Sequence, residues 1–101
     1  MLVRISASEQ ATIRQTVHEL VGVDARVSLF GSRVNDEQRG GDIDLFVEVA
    51  HKVDKPILLA ARIGARLQWL LGEQRIDVLI ATPDTAERAI HRVARQTGVV
   101  L

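Results

Sequence analysis

Two carboxylates, Asp42 and Asp44, stand two residues apart in a stretch otherwise patterned for burial. Over 42–49, Ile43, Leu45, Val47 and Val49 fall on one side and Asp42, Asp44, Phe46 and Glu48 on the other, which is the period of a strand. Side chains at i and i+2 share a face about 6.6 Å apart at the backbone. Converging carboxylates at that spacing can share one divalent cation or hold two about 3.5–4 Å apart. Without a cation they repel. Oxygen-only donors favour Mg2+ or Mn2+ over zinc. A third carboxylate, Asp77, lies near the start of a second apolar stretch, 75–81, between Ile76 and Val78. The plain structural alternatives are solvated acids at a strand edge for Asp42 and Asp44, and an ion pair with Arg75 or another arginine for Asp77.

Upstream, Gly31-Ser32-Arg33 directly follows the short apolar run 26–30. Glycine lets backbone N–H groups approach an anion closely, and a serine at a helix start adds a hydroxyl where the dipole favours phosphate. Ser32 serves equally as a simple helix N-cap. Arg33 can donate a charge-assisted hydrogen bond to phosphate or stand on the surface.

The elements that must position these groups read as follows. Ser6-Ala7-Ser8-Glu9 has capping-box spacing, and Ile13, Val17, Leu20 and Val21 continue at helical intervals toward Gly22, so the first element is a helix. Strand 26–30 and a polar connector, 31–41, lead to strand 42–49. Asp54 can cap a helix with Pro56 in its first turn and Gly72 as its stop. Strand 75–81 follows. Thr82-Pro83 opens a last helix with Ala86, Ala89, Ile90, Val93 and Ala94 as its core stripe, ending near Gly98. The class is α/β or α+β, a small mixed sheet covered by helices in the order αβ(α)βαβα, with the bracket marking the connector. Antiparallel pairing of the first two strands brings Gly31 beside the acids. A right-handed crossover through the second helix lays strand 75–81 parallel to strand 42–49, with Asp77 at the same end.

Composition bounds the rest. Hydrophobic residues make up 47% and charged residues 26% of the 101, with 13 cations balancing 13 acids. No global field therefore recommends nucleic acid or anionic membrane. There is no cysteine, which excludes disulfides, thiolate metal sites and thiol catalysis. No apolar run approaches the roughly 20 residues of a membrane span. The expectation is one soluble cytoplasmic domain, 1–101, without an internal boundary. His18, His51 and His91 show no ligand spacing and read as surface residues, as do Arg88, Arg92 and Arg95.

Taken together, Gly31-Ser32-Arg33, Gly40-Gly41-Asp42-Ile43-Asp44-Leu45 and Arg75-Ile76-Asp77-Val78 resemble the signature of the DNA polymerase β-like nucleotidyltransferase superfamily. The length resembles its minimal branch, which includes antitoxins paired with HEPN-domain toxins. The resemblance implies that Asp42 and Asp44 bind two Mg2+ and that Asp77 completes the site. It also implies that Gly31 and Ser32, with Arg33 and Gly41 nearby, hold the triphosphate of ATP. Where the family usually has serine, Gly41 stands. The implied reaction is attack of an acceptor hydroxyl on the α-phosphorus, with a tyrosine of a HEPN toxin as acceptor. Two rivals differ in kind: a module that neutralises its partner by contact alone, and transfer to a small molecule such as an antibiotic.

Helix 55–71 carries a feature the signature does not use. Leu59, Ile63, Leu67 and Leu70 form one core stripe, while Leu58, Ala61, Ala65 and Trp69 form a second beyond Arg62 and Arg66. A helix apolar on two sides needs two neighbours. Another helix of the same chain can cover the second stripe, or it is a docking surface for a partner or a second copy.

Overall fold

The computed structural model describes residues 5–31, 43–72 and 74–101. Helix α1 (Ala7–Leu20) begins as its sequence dictates. The Glu9 N–H donates to Ser6 Oγ at 3.1 Å and the Ser6 N–H donates to Glu9 Oε1 at 2.9 Å, satisfying two otherwise orphaned donors. Its inward side is Ile13, Thr16 and Val17, the i, i+3, i+4 spacing that one helical face allows.

Strands β1 (Arg26–Phe30), β2 (Ile43–Glu48) and β3 (Ile76–Ala81) form the sheet with a short fourth strand, β4 (Val99–Val100), in the order β3-β2-β1-β4. β1 and β2 are antiparallel, and β2 and β3 are parallel. The parallel pair is connected through α2 (Pro56–Leu71), as a parallel connection requires. Val27, Leu29, Ile43, Leu45 and Val47 pack on one face of the sheet against Ile13, Val17, Ile63 and Leu67 of α1 and α2. On the opposite face, Phe30, Phe46 and Ala81 pack under Ala94 of α3 (Ala89–Thr97). The two-sided alternation of β2 is thus used on both sides, and Phe46 is fully buried.

Several sequence expectations shift. The N-cap of α2 is Lys55, with no side-chain cap bond, rather than Asp54. Pro56 at the first helical position lacks an N–H that would need capping there. Thr82-Pro83 does not open a helix. It starts a turn in which the Thr85 N–H donates to the Thr82 carbonyl at 3.1 Å and the Thr82 N–H donates to Thr85 Oγ1 at 2.9 Å. These local bonds satisfy the backbone in place of a helical turn, and α3 starts at Ala89. Its inward residues are His91 and Ala94, while Ile90 and Val93 are about half exposed. The addition of β4 to β1 extends the expected order by one strand, with the Leu101 N–H donating to the Val27 carbonyl at 3.0 Å.

Candidate active site

Register decides where the acids go. Asp44 is the partner of Phe30 on β1 and of Asp77 on β3, so Phe30, Asp44 and Asp77 form one row across three neighbouring strands. Directly paired residues project from the same face, and adjacent strands lie about 4.8 Å apart. Asp44 and Asp77 are therefore lateral neighbours at the N-terminal ends of two parallel strands, on the face away from α1 and α2. Asp44 is half-buried.

Gly31 ends β1 against this row. Its φ of +77° lies in the left-handed region, which glycine occupies at no steric cost. A Cβ at this position would overlap Oδ2 of Asp44 and stand 3.1 Å from its Cγ. Only a bare backbone fits beside the carboxylate.

Asp77 is more open than the apolar stretch around it suggested. β3 is an edge strand, and the Asp77 side chain is 54% exposed, with Arg75 Nε 3.8 Å from its Oδ2. An exposed pair at that separation is worth about 0–1 kcal/mol, too little to commit the carboxylate to a structural role. Asp42, Gly41, Ser32 and Arg33 lie outside the described residues. Among the described residues no cluster of three histidine, cysteine or acidic groups suited to a metal forms; Asp44 and Asp77 are the two candidate ligands that the sheet brings together.

Sequence reasoning missed the support beside this row. His91 is 2% exposed, not a surface residue. Its Nδ1 accepts the Arg88 N–H at 3.0 Å, and its ring meets Phe46 edge-on at 6.1 Å between centroids. It stands three residues after the N-cap, where a capping box usually has Glu or Gln. That spacing was the available signal. Arg95 likewise is not simply solvated. Its guanidinium lies 5.5 Å from the Phe46 ring centroid, its Nε is 3.4 Å from Glu48 Oε2, and it also pairs with Glu87. Both side chains hold α3 on Phe46, two residues along β2 from Asp44.

A family model described as nucleotidyltransferase domain matches residues 11–98, a span that includes both strands of the acidic row. No curated protein matches the chain. Three solved structures share the fold at low identity. One is tri-AMPylated Shewanella oneidensis HEPN toxin in complex with MNT antitoxin: 18% identity, TM-score 0.65, covering 92% of this chain and 68% of that one. A MntA–HpeT toxin–antitoxin mutant gives 18% identity and a TM-score of 0.68, with coverage of 90% and 70%. A toxin–antitoxin with AMP-PNP gives 21% identity, the same TM-score and the same coverage.

Proposed function

The chain belongs to the nucleotidyltransferase domain family, and from that premise we propose that it transfers AMP from ATP to a hydroxyl of a partner protein, a tyrosine of a HEPN toxin, and thereby acts as an antitoxin in the cytoplasm. The observation that carries this reading is the register of β2 and β3, which sets Asp44 beside Asp77 with Gly31 against the Asp44 carboxylate. The fold shared with toxin–antitoxin complexes supports the choice of partner.

The donor set fits a hard divalent cation, because the neighbouring groups are carboxylates whose repulsion a cation relieves. Asp42, Asp44 and Asp77 would hold Mg2+ or Mn2+. A cation bound there supplies charge neutralisation at the triphosphate and lowers the pKa of an acceptor hydroxyl. The remaining work belongs to the chain. The backbone N–H of Gly31 and the hydroxyl of Ser32 would bind the phosphates, Arg33 would donate to a phosphate oxygen, and Gly41, where the family usually has serine, would offer them no hydroxyl. The acceptor oxygen forms a bond to the α-phosphorus in line with the bond that breaks, and pyrophosphate departs with the electron pair. Asp77, the more exposed carboxylate, takes the hydroxyl proton.

Incubation with α-labelled ATP, Mg2+ and a HEPN protein co-expressed with this chain tests the reading. Label should pass to the partner, and Asp44→Asn should stop it. Neutralisation of the partner that survives Asp44→Asn would instead assign the function to contact alone.

A further inference from the structure

Neither α1 nor α3 covers the second stripe of α2. Leu58 is 51% exposed and Trp69 85%, with Ala61 and Ala65 exposed between them. Spacings of three, four and four residues set these side chains in one line about 16 Å long. Two large residues stand at the ends and two alanines form a hollow between them, a shape that accepts the ridge of another helix.

The charges along this line select the occupant. Pro56–Leu71 contains Arg62 and Arg66 and no acid; Arg66 shares a cleft with Glu19 of α1, and neither arginine lies within ion-pair distance of an acid among the described residues. At the N-terminal end the stripe runs into a cleft of about 350 Å³ beside Leu20 and Leu59, where Lys52, Lys55 and Arg62 face a single acid, Asp54. A second copy docked here would be self-complementary, with the same patch on both sides. It would set Arg62 and Arg66 against their own counterparts, which disfavours that pairing.

We propose that this face of α2 docks a helix of a partner protein whose apolar stripe is flanked by glutamates or aspartates. The line ends at Trp69 in the last turn of α2. From there the chain passes through Gln74, whose side chain donates to the Leu71 carbonyl at 3.1 Å, into β3 and Asp77. Ala61 and Ala65 of the line also share a cleft of about 330 Å³ with Gln68 and Asp77, so a helix seated along α2 lies beside the acidic row. The docking stands without the transfer reading; identifying the docked protein with the acceptor rests on it.

Trp69 is the sole tryptophan, so its emission reports occupancy directly. Two synthetic helical peptides with the same leucine and alanine stripe, one flanked by glutamates and one by lysines, are titrated into the full chain. The glutamate peptide should shift Trp69 emission to shorter wavelength and bind about tenfold or more tightly than the lysine peptide, less so at high salt. The doubly substituted Arg62→Glu, Arg66→Glu chain, with unchanged circular dichroism, should reverse that preference. Equal affinities, no shift with either peptide, or retained preference after charge reversal would overturn the proposal. So would a concentration-dependent shift of the chain alone with matching self-association by sedimentation, which assigns the face to a second copy. Asp44→Asn should bind the glutamate peptide unchanged, so loss of label transfer and loss of docking are separately visible.

Discussion

The backbone of Gly31 lies so close to Asp44 that a single added carbon would occupy the space of the carboxylate oxygen. The turn closing β1 and the acid of β2 are thus fitted to one another, and the fit depends on both a left-handed backbone and a missing side chain. Gly31→Ala removes both conditions. Left-handed backbone costs an ordinary residue about 1–2 kcal/mol, which urea unfolding should register. Displacing Asp44 by an ångström should lower the proposed AMP transfer roughly 100-fold. An alanine variant with normal turnover would show that this contact does not position the carboxylate.

Side-by-side carboxylates respond differently with and without a cation. In chelator, Asp77→Asn relieves like-charge repulsion across the strand pair but also loses the exposed pair with Arg75, worth about 0–1 kcal/mol, so the urea midpoint should change little. Adding Mg2+ should stabilise the unsubstituted chain more than the Asp77→Asn variant. Transfer should fall by about two to four orders of magnitude if Asp77 takes the proton. Denaturation curves in both conditions, beside label transfer, check the two halves separately.

Legibility of the chain followed physical cause. The faces of β2 could be read because both are apolar at period two, Ile43, Leu45 and Val47 on one and Phe46 on the other. The juxtaposition of Asp44 with Asp77 followed from a helix-length connection between parallel strands. Edge exposure of Asp77 was hidden, since nothing in Ile76-Asp77-Val78 says how many neighbours a strand has. β4 spans two residues, too few to show a period. Thr82-Pro83 is equally good as helix start and as turn, and the hydroxyl of Thr85, which only the folded turn brings back to Thr82, decides for the turn. Asp42, Gly41, Ser32 and Arg33 lie outside the described residues, and their placement stays a matter of the motif.

That turn carries a titration signature. The Thr82 hydroxyl donates to Asp84, and this bond, followed by the backbone N–H of Asp84 itself, holds the Asp84 carboxyl below its ordinary value. A carboxyl depressed by folding contributes stability above its unfolded pKa and loses it as pH falls through the folded value. Thr82→Val should move the Asp84 carboxyl upward in an NMR titration and narrow that acid window. An unmoved titration curve would remove Thr82 as the cause.

The contact between His91 and Phe46 should matter for stability more than its helix, nine residues long, suggests. His91 fills space against Phe46 and takes up the Arg88 N–H, so His91→Ala loses both a buried ring and a donor's partner. Truncating a buried large side chain costs about 2–5 kcal/mol, and an unsatisfied buried donor costs about 1–3 kcal/mol. Because Arg88 is exposed and water can take up its freed N–H, the loss is expected at the lower end of the first range, about 2–3 kcal/mol. His91→Gln separates the two losses: its side-chain carbonyl can accept the same N–H, as Gln does in a capping box, while the ring contact is gone. Thermal melts should place His91→Gln between the unsubstituted chain and His91→Ala. If the two variants melt together, the bond to Arg88 contributes nothing measurable, and the helix is held on β2 by the packing of His91 and Ala94 and by Arg95.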